Sequence, residues 1–195
     1  MYDYISGDII ELSPAELILD NNGIGYKFQI SLNSYSKFRE HSKAKIYIHH
    51  HLREDEELFY GFFTKEERHI FTLLISVSGI GPNTARMMLS SMTPEEIQGA
   101  IISGDVNTIK SIKGIGLKTA QRVIIELKDK IIKGASSGSD IIFDSQSNNI
   151  RNEATSALVL LGFSKNNIEK VLSATLKSKP NATLEELIKL ALKQL

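Results

Sequence analysis

The chain has 195 residues, no cysteine, and 23 acidic against 23 basic side chains. That length gives ample core for one or two average domains. The absence of cysteine excludes a disulfide framework and a thiolate zinc site, and a net charge of zero argues against a general polyanion binder. No apolar run approaches the roughly 20 residues of a membrane span. Met1-Tyr2-Asp3-Tyr4 opens without the basic and apolar regions of a secretory leader. A soluble, cytoplasmic protein with no membrane partner is expected.

Residues 1–63 read as β-structure. Tyr4–Leu12, Ala15–Asp20, Gly25–Leu32, Lys43–Leu52 and Glu57–Phe62 are strand candidates rich in Ile, Leu, Tyr and Phe. Asn21-Asn22-Gly23 is a strong turn, because Asn and Gly tolerate positive φ, and it explains Gly23-Ile24-Gly25 as part of a hairpin. Five short strands with a brief Ser34–Phe38 segment among them predict a small closed barrel of the OB-fold type. His49-His50-His51 lies in the fourth candidate. Alternate strand residues face opposite ways, so at most His49 and His51 share a face, and no metal site is expected. The acidic run Arg53-Glu54-Asp55-Glu56-Glu57 reads either as a solvated loop or as a negative tip that repels phosphate.

From Thr64 the pattern turns helical. Thr64-Lys65-Glu66-Glu67 fits a capping box, and Ile70, Phe71, Leu74 and Val77 fall on one face. Thr93-Pro94-Glu95-Glu96 repeats the signal with proline at the first helical position. A short helix follows Gly104, and another spans Lys118–Ile131. Within this stretch Val77-Ser78-Gly79-Ile80-Gly81-Pro82-Asn83-Thr84-Ala85 recurs 35 residues later as Ile112-Lys113-Gly114-Ile115-Gly116-Leu117-Lys118-Thr119-Ala120. Each copy lies between two helices, which makes a tandem helix-hairpin-helix. The helix after each glycine turn starts with unpaired amides and a positive dipole end, a site for one phosphate of a nucleic-acid backbone without base reading. Ser78, Gly79, Ile80, Gly81, Asn83 and Thr84 in the first copy are the candidate contacts, with Gly114, Ile115, Gly116 and Thr119 in the second. Arg86, Lys113, Lys118 and Arg122 are the cations placed to reach neighbouring phosphates. Residues 64–133 carry 10 Lys and Arg against 7 Asp and Glu, whereas residues 1–63 carry 6 against 10. The positive excess therefore lies with the hairpins.

Gly134-Ala135-Ser136-Ser137-Gly138-Ser139 opens a flexible linker over residues 134–149, with the apolar island Ile141-Ile142-Phe143 inside it. Residues 150–195 read as a three-helix bundle. Ala154, Ala157, Leu158 and Leu161 face one way, Gly162 stops the first helix, Ser164 caps the second, and Thr183-Leu184-Glu185-Glu186 is a capping box. A bundle this small uses its apolar residues as a docking face rather than a catalytic site. The fold class is thus multidomain α+β: barrel, all-α tandem helix-hairpin-helix module, linker and bundle. No phosphate loop, cysteine nucleophile or His-Glu-x-x-His motif is present, so no catalytic residue, metal or cofactor is expected. The rival reading is a structure-selective nuclease or glycosylase that uses the hairpins for grip.

The order of these parts resembles the RuvA family of bacterial Holliday-junction-binding subunits. The resemblance rests on Tyr60-Gly61-Phe62 entering the Glu66-Glu67-Arg68 helix, on the Gly79-Ile80-Gly81-Pro82 and Gly114-Ile115-Gly116 hairpins, and on Ala157-Leu158 with Leu161-Gly162-Phe163. It implies a homotetramer, or an octamer sandwiching an open four-way junction, that serves recombination, DNA repair and the SOS response to damage. It makes Glu54 and Asp55 an acidic pin at the strand-separation point. It implies docking of Leu158, Leu161, Phe163 and Leu192 on RuvB, a hexameric ATPase motor that performs the hydrolysis, and RuvC resolvase as a further partner. The chain departs from the family at Asn83 and Leu117, where basic residues are common. More of the grip then falls on backbone amides, with weaker salt dependence.

Overall fold

A computed structural model describes residues 2–139, 146–179 and 182–195. Two compact units result, Met1–Ser136 and Ser137–Leu195. In the first unit, β1 (Tyr4–Leu12), β2 (Glu16–Asn21), β3 (Ile24–Ile30), β4 (Lys43–Leu52) and β5 (Glu57–Phe62) close a barrel in the order β1-β2-β3-β5-β4. Neighbours are antiparallel except β3 and β5, which run parallel. Asn22 and Gly23, with φ of 53° and 86°, form the two-residue turn between β2 and β3. Alternation drives Leu17, Leu19, Phe28, Ile30, Ile46 and Ile48 inward, each burial worth roughly 1.5–3 kcal/mol. The third strand stops at Ile30 rather than Leu32 because Ser31 turns out to cap α1 (Leu32–Phe38). That short helix closes the barrel with the fully buried Phe38.

The helices α2 (Lys65–Ile75), α3 (Pro82–Ser91), α4 (Pro94–Ser103), α5 (Val106–Lys110) and α6 (Leu117–Ser139) follow. Ile70, Phe71, Leu74 and Val77 are buried together, as their spacing requires. Their core also takes in Tyr60 and Phe62 of β5, so the expected boundary at 63/64 falls inside one continuous core. The expected capping box at Thr64 is half made. Thr64 accepts from the Glu67 amide, but the Glu67 carboxylate does not reach back. It is buried instead, accepting from the hydroxyls of Ser31 and Ser34, with the Ser34 bond at 2.7 Å. Ser34 Oγ in turn accepts from the Phe63 amide at 2.9 Å. A charged group with two hydroxyl donors is better satisfied there than on one exposed amide, and the network fastens α1 to α2.

The segment expected as a linker is helical at both described ends, since α6 runs on to Ser139 and α7 starts at Gln146. A helix already nucleated adds one hydrogen bond per further residue, and each glycine costs only about 1 kcal/mol. The island Ile141-Ile142-Phe143 lies outside the described residues. In the second unit α7 (Gln146–Leu160), α8 (Lys165–Ser178) and α9 (Leu184–Ala191) pack around Ala154, Leu158, Ile168, Leu172 and Leu187. The Thr183–Glu186 capping box forms in full, whereas Ser164 stands at the N-cap of α8 without a side-chain cap bond. Leu161 leaves the face expected for it. It follows the end of α7 and is exposed, while Ala154 and Leu158 are buried.

Candidate nucleic-acid interface

The two hairpins are built alike. Gly79 has φ +95° and Gly114 φ +93°, a left-handed conformation that a side chain rarely adopts. One residue on, the Ile80 amide donates to Val77 O at 3.0 Å and the Ile115 amide to Ile112 O at 3.1 Å. Val77, Ile80 and Ala85 are buried, as are Ile112, Ile115 and Ala120, so three apolar anchors hold each turn on the helical core. Gly81 is the N-cap of α3, and Gly116 precedes Leu117, the first residue of α6. A Cβ on either glycine would meet nothing within 4 Å, so both mouths are open. The first-turn amides of a helix have no intrahelical acceptor. In α3 these include Asn83 and Thr84, Pro82 having no N–H; in α6 they are Leu117, Lys118 and Thr119. Each mouth thus pairs outward amides with a positive dipole end.

The hairpins also touch one another reciprocally. Thr119 lies 3.8 Å from where a Cβ on Gly79 would sit, and Met87 lies 3.7 Å from the same point on Gly114. Arg122 Nη1 donates to Ser78 O at 3.2 Å. Met87 and Arg122 are 35 residues apart, so equivalent positions on the two helices brace the opposite turn. Sequence reasoning missed Met87, although the repeat offset that pairs it with Arg122 was the signal for it.

Several candidate residues have other work. Ile80 and Ile115 offer neither side chain nor amide to a ligand, because both are buried and both amides are already bonded. Arg86 donates to Ala15 O at 3.1 Å and to Gln29 Oε1 at 2.8 Å, tying α3 to the barrel. Arg122 braces Ser78 and lies 3.7 Å from Glu126, while its side chain stays half-exposed. Lys113, Lys118, Ser78, Gly79 and Asn83 are exposed at or beside the mouths, and Thr84 and Thr119 are half-buried there. Leu117 is exposed at the second mouth.

Family profiles divide the chain in the same order as the fold. The RuvA N-terminal domain matches residues 1–61, the SAM-like helix-hairpin-helix tandem residues 71–129, and the RuvA C-terminal domain residues 149–195. The Holliday junction branch migration complex subunit RuvA of Bacteroides thetaiotaomicron is 48% identical over 201 residues, with all of both chains covered. Proteins of the same name from Christiangramia forsetii and Flavobacterium psychrophilum are each 49% identical over 195 residues, again end to end. The chain belongs to the RuvA family.

The acidic run forms the tip of the β4–β5 hairpin. The Arg53 amide donates to Glu56 O at 2.8 Å to close the turn, and Glu54 and Asp55 are exposed at its end. Of the residues expected to dock a motor, Leu161 and Leu192 are exposed and Phe163 is half-buried. Leu158 is fully buried in the three-helix core, so it packs the bundle and presents no surface. Val159 and Leu160, also exposed, extend the apolar surface beside Leu161. His49 and His51 share a face, with stacked rings 6.4 Å apart. Burial holds His49 below the usual histidine range, and the neighbouring His51, His50 and Arg68 add to the effect. Among the described residues, no group of three or more His, Cys, Asp or Glu is placed to hold a metal ion. No helix among them is long and apolar enough to cross a membrane.

Proposed function

We propose that the chain binds four-way DNA junctions by structure rather than sequence and couples them to a motor ATPase that drives branch migration. The observation that carries this reading is the pair of equivalent hairpins, each opening a helix whose first-turn amides face open space beside a positive-φ glycine. Backbone amides at a helix N-terminus contact phosphates rather than base edges, so such a grip positions a duplex without reading it. Two grips per subunit suit the two strands of one junction arm, and a homotetramer supplies one subunit for each of four arms. A second tetramer on the opposite face makes the octamer. Glu54 and Asp55 then sit toward the crossover, where like charge keeps phosphates off the centre and turns strands into their arms.

The names of the relatives place those proteins in a Holliday junction branch migration complex, which supports the same role here. The C-terminal bundle docks the hexameric motor RuvB through Leu161, Leu192 and the adjoining Val159 and Leu160, with Phe163 beside them. Hydrolysis belongs to that partner and no catalytic step to this chain. RuvC resolvase acts on the same junction, and the complex works in the cytoplasm.

Light scattering with and without a synthetic junction tests the assembly. The expected mass is four chains, rising to eight on the junction. A monomer that stays monomeric on the junction overturns it. For the pin, neutralising Glu54→Gln with Asp55→Asn is expected to reduce the preference for junction over linear duplex, read by competition gel shift. An unchanged preference makes the tip an ordinary solvated loop.

A further inference from the structure

The outer face of β4 carries a chemical pattern that the hairpins do not use. Ile46 and Ile48 point into the barrel core, so Lys45, Tyr47, His49 and His51 lie on the opposite side of the strand. Arg53, just past the strand end, joins them by donating from Nε to His51 Nε2 at 3.0 Å. Lys43 begins the same row at the other end, where it pairs with Asp8 at 3.2 Å. The barrel segment as a whole has 10 acidic against 6 basic residues, yet this row of alternate positions holds no acid.

Aromatic rings are interleaved with the cations. Tyr4 of β1 pairs across the ladder with Tyr47 and is half-exposed. Lys45 Nζ stands 3.7 Å from the Tyr4 ring centre and 5.5 Å from that of Tyr47. From α2, the Lys65 ammonium and the Arg68 guanidinium lie 5.8 Å and 5.6 Å from the Tyr47 ring. His49 packs inward against Phe71 and Tyr60 and stacks with His51, whose ring continues the row. An open depression between β1 and β4, lined by Ser6, Gly7, Asp8, Lys43, Ala44 and Lys45, continues the face beyond Tyr4.

Rings alternating with cations match an unpaired strand better than a duplex. A duplex offers phosphates but keeps its base faces stacked inside, whereas a single strand offers both phosphate and base face. The row also runs directly into the Glu54–Asp55 tip. A strand repelled by that tip meets the adjoining cationic row on the same hairpin. We propose that the outer face of β4, from Lys45 to Arg53 with Tyr4 and Lys65 beside it, is a track that holds an unpaired nucleic-acid strand by base stacking and phosphate pairing. The proposal rests on the junction reading only for the source of that strand, which would be one displaced at the crossover.

Ultraviolet cross-linking of the full chain to an oligothymidylate carrying 5-iodouracil, with the attached peptides mapped by mass spectrometry, tests it. Cross-links at Tyr4, Tyr47 or His51 are expected. Lys45→Glu combined with Lys65→Glu should abolish them. The same double variant should flatten the salt dependence of oligothymidylate binding by about 1.4 in log K against log salt, because two phosphates of a single strand are no longer neutralised. Gly114→Val should keep the cross-links while losing junction affinity. Cross-links confined to residues 78–84 and 113–119, or none, overturn the proposal. So does a lysine double variant of smaller oligomeric mass and unchanged oligothymidylate affinity, which would assign the face to a second copy of the chain. A wild-type chain with no junction preference that still cross-links on β4 would sink the proposed function and leave the track standing.

Discussion

The first hairpin opens its helix with Pro82-Asn83 and the second with Leu117-Lys118, although the glycine turns before them are nearly identical in backbone. Around the first mouth the cation of the repeat, Arg86, is spent on Ala15 and Gln29 of the barrel. Around the second, Lys113 and Lys118 are exposed. Pro82 also removes one amide from the first mouth, while α6 keeps all three. One turn thus serves two balances: the first hairpin is anchored to the barrel and presents amides, and the second adds two exposed lysines. A duplicated motif keeps what the backbone requires and diverges where only side chains are concerned.

Breaking the shared part should cost most. Gly114→Val or Gly79→Val forces a β-branched residue to positive φ, a strain of roughly 1–3 kcal/mol or a shifted turn. Junction affinity should fall by about tenfold or more in either variant, with helix content by circular dichroism retained. Next comes the buried network that fastens α1 to α2. Glu67→Ala strands the buried hydroxyls of Ser31 and Ser34, and denaturant unfolding should show a loss of about 1–3 kcal/mol. Junction binding at low temperature should survive, because neither glycine turn is part of that network.

Smaller effects sharpen the electrostatic difference. Lys118→Ala should flatten the slope of log K against log salt by about 0.9, and Asn83→Lys should steepen it by a similar amount. Equal slopes in all three proteins would mean that both mouths bind by amides alone. The weakest expected effect concerns the barrel. Burial first, then His51, His50 and Arg68, lower the His49 pKa from its ordinary 6.5, and the rings of Tyr60 and Phe71 pack against it. The unfolded chain therefore binds a proton more readily than the folded one. The stability this provides is present above the ordinary value and is lost as pH falls toward the lowered one. Between about pH 8 and about pH 5 the melting midpoint of wild type should drop further than that of His49→Gln.

Much of this architecture was legible because it is local. Strand period, the Asn22-Gly23 turn, the capping boxes at Thr93 and Thr183 and the repeated glycine turns each need only neighbours in sequence to act. What sequence could not supply was the partner across the fold. Glu67 looked like a cap residue until Ser31 and Ser34, more than thirty positions earlier, competed for it. Arg86 looked like a phosphate ligand until Gln29 took its guanidinium. Leu158 looked like surface because one helix turn does not reveal which of its apolar positions the other two helices cover. In each case a long side chain or a wide apolar face had two physically sound uses, and tertiary contact decided between them.

Two hairpins per subunit, holding the backbone of every junction arm, are what the proposed function stands on. Hydroxyl-radical footprinting of a synthetic four-way junction bound by the full chain is the decisive experiment. Protection of both strands across the minor groove is expected on all four arms, and it should vanish in Gly114→Val together with Gly79→Val. Protection of one arm only, or a pattern that persists in that double variant, would contradict the two-hairpin grip.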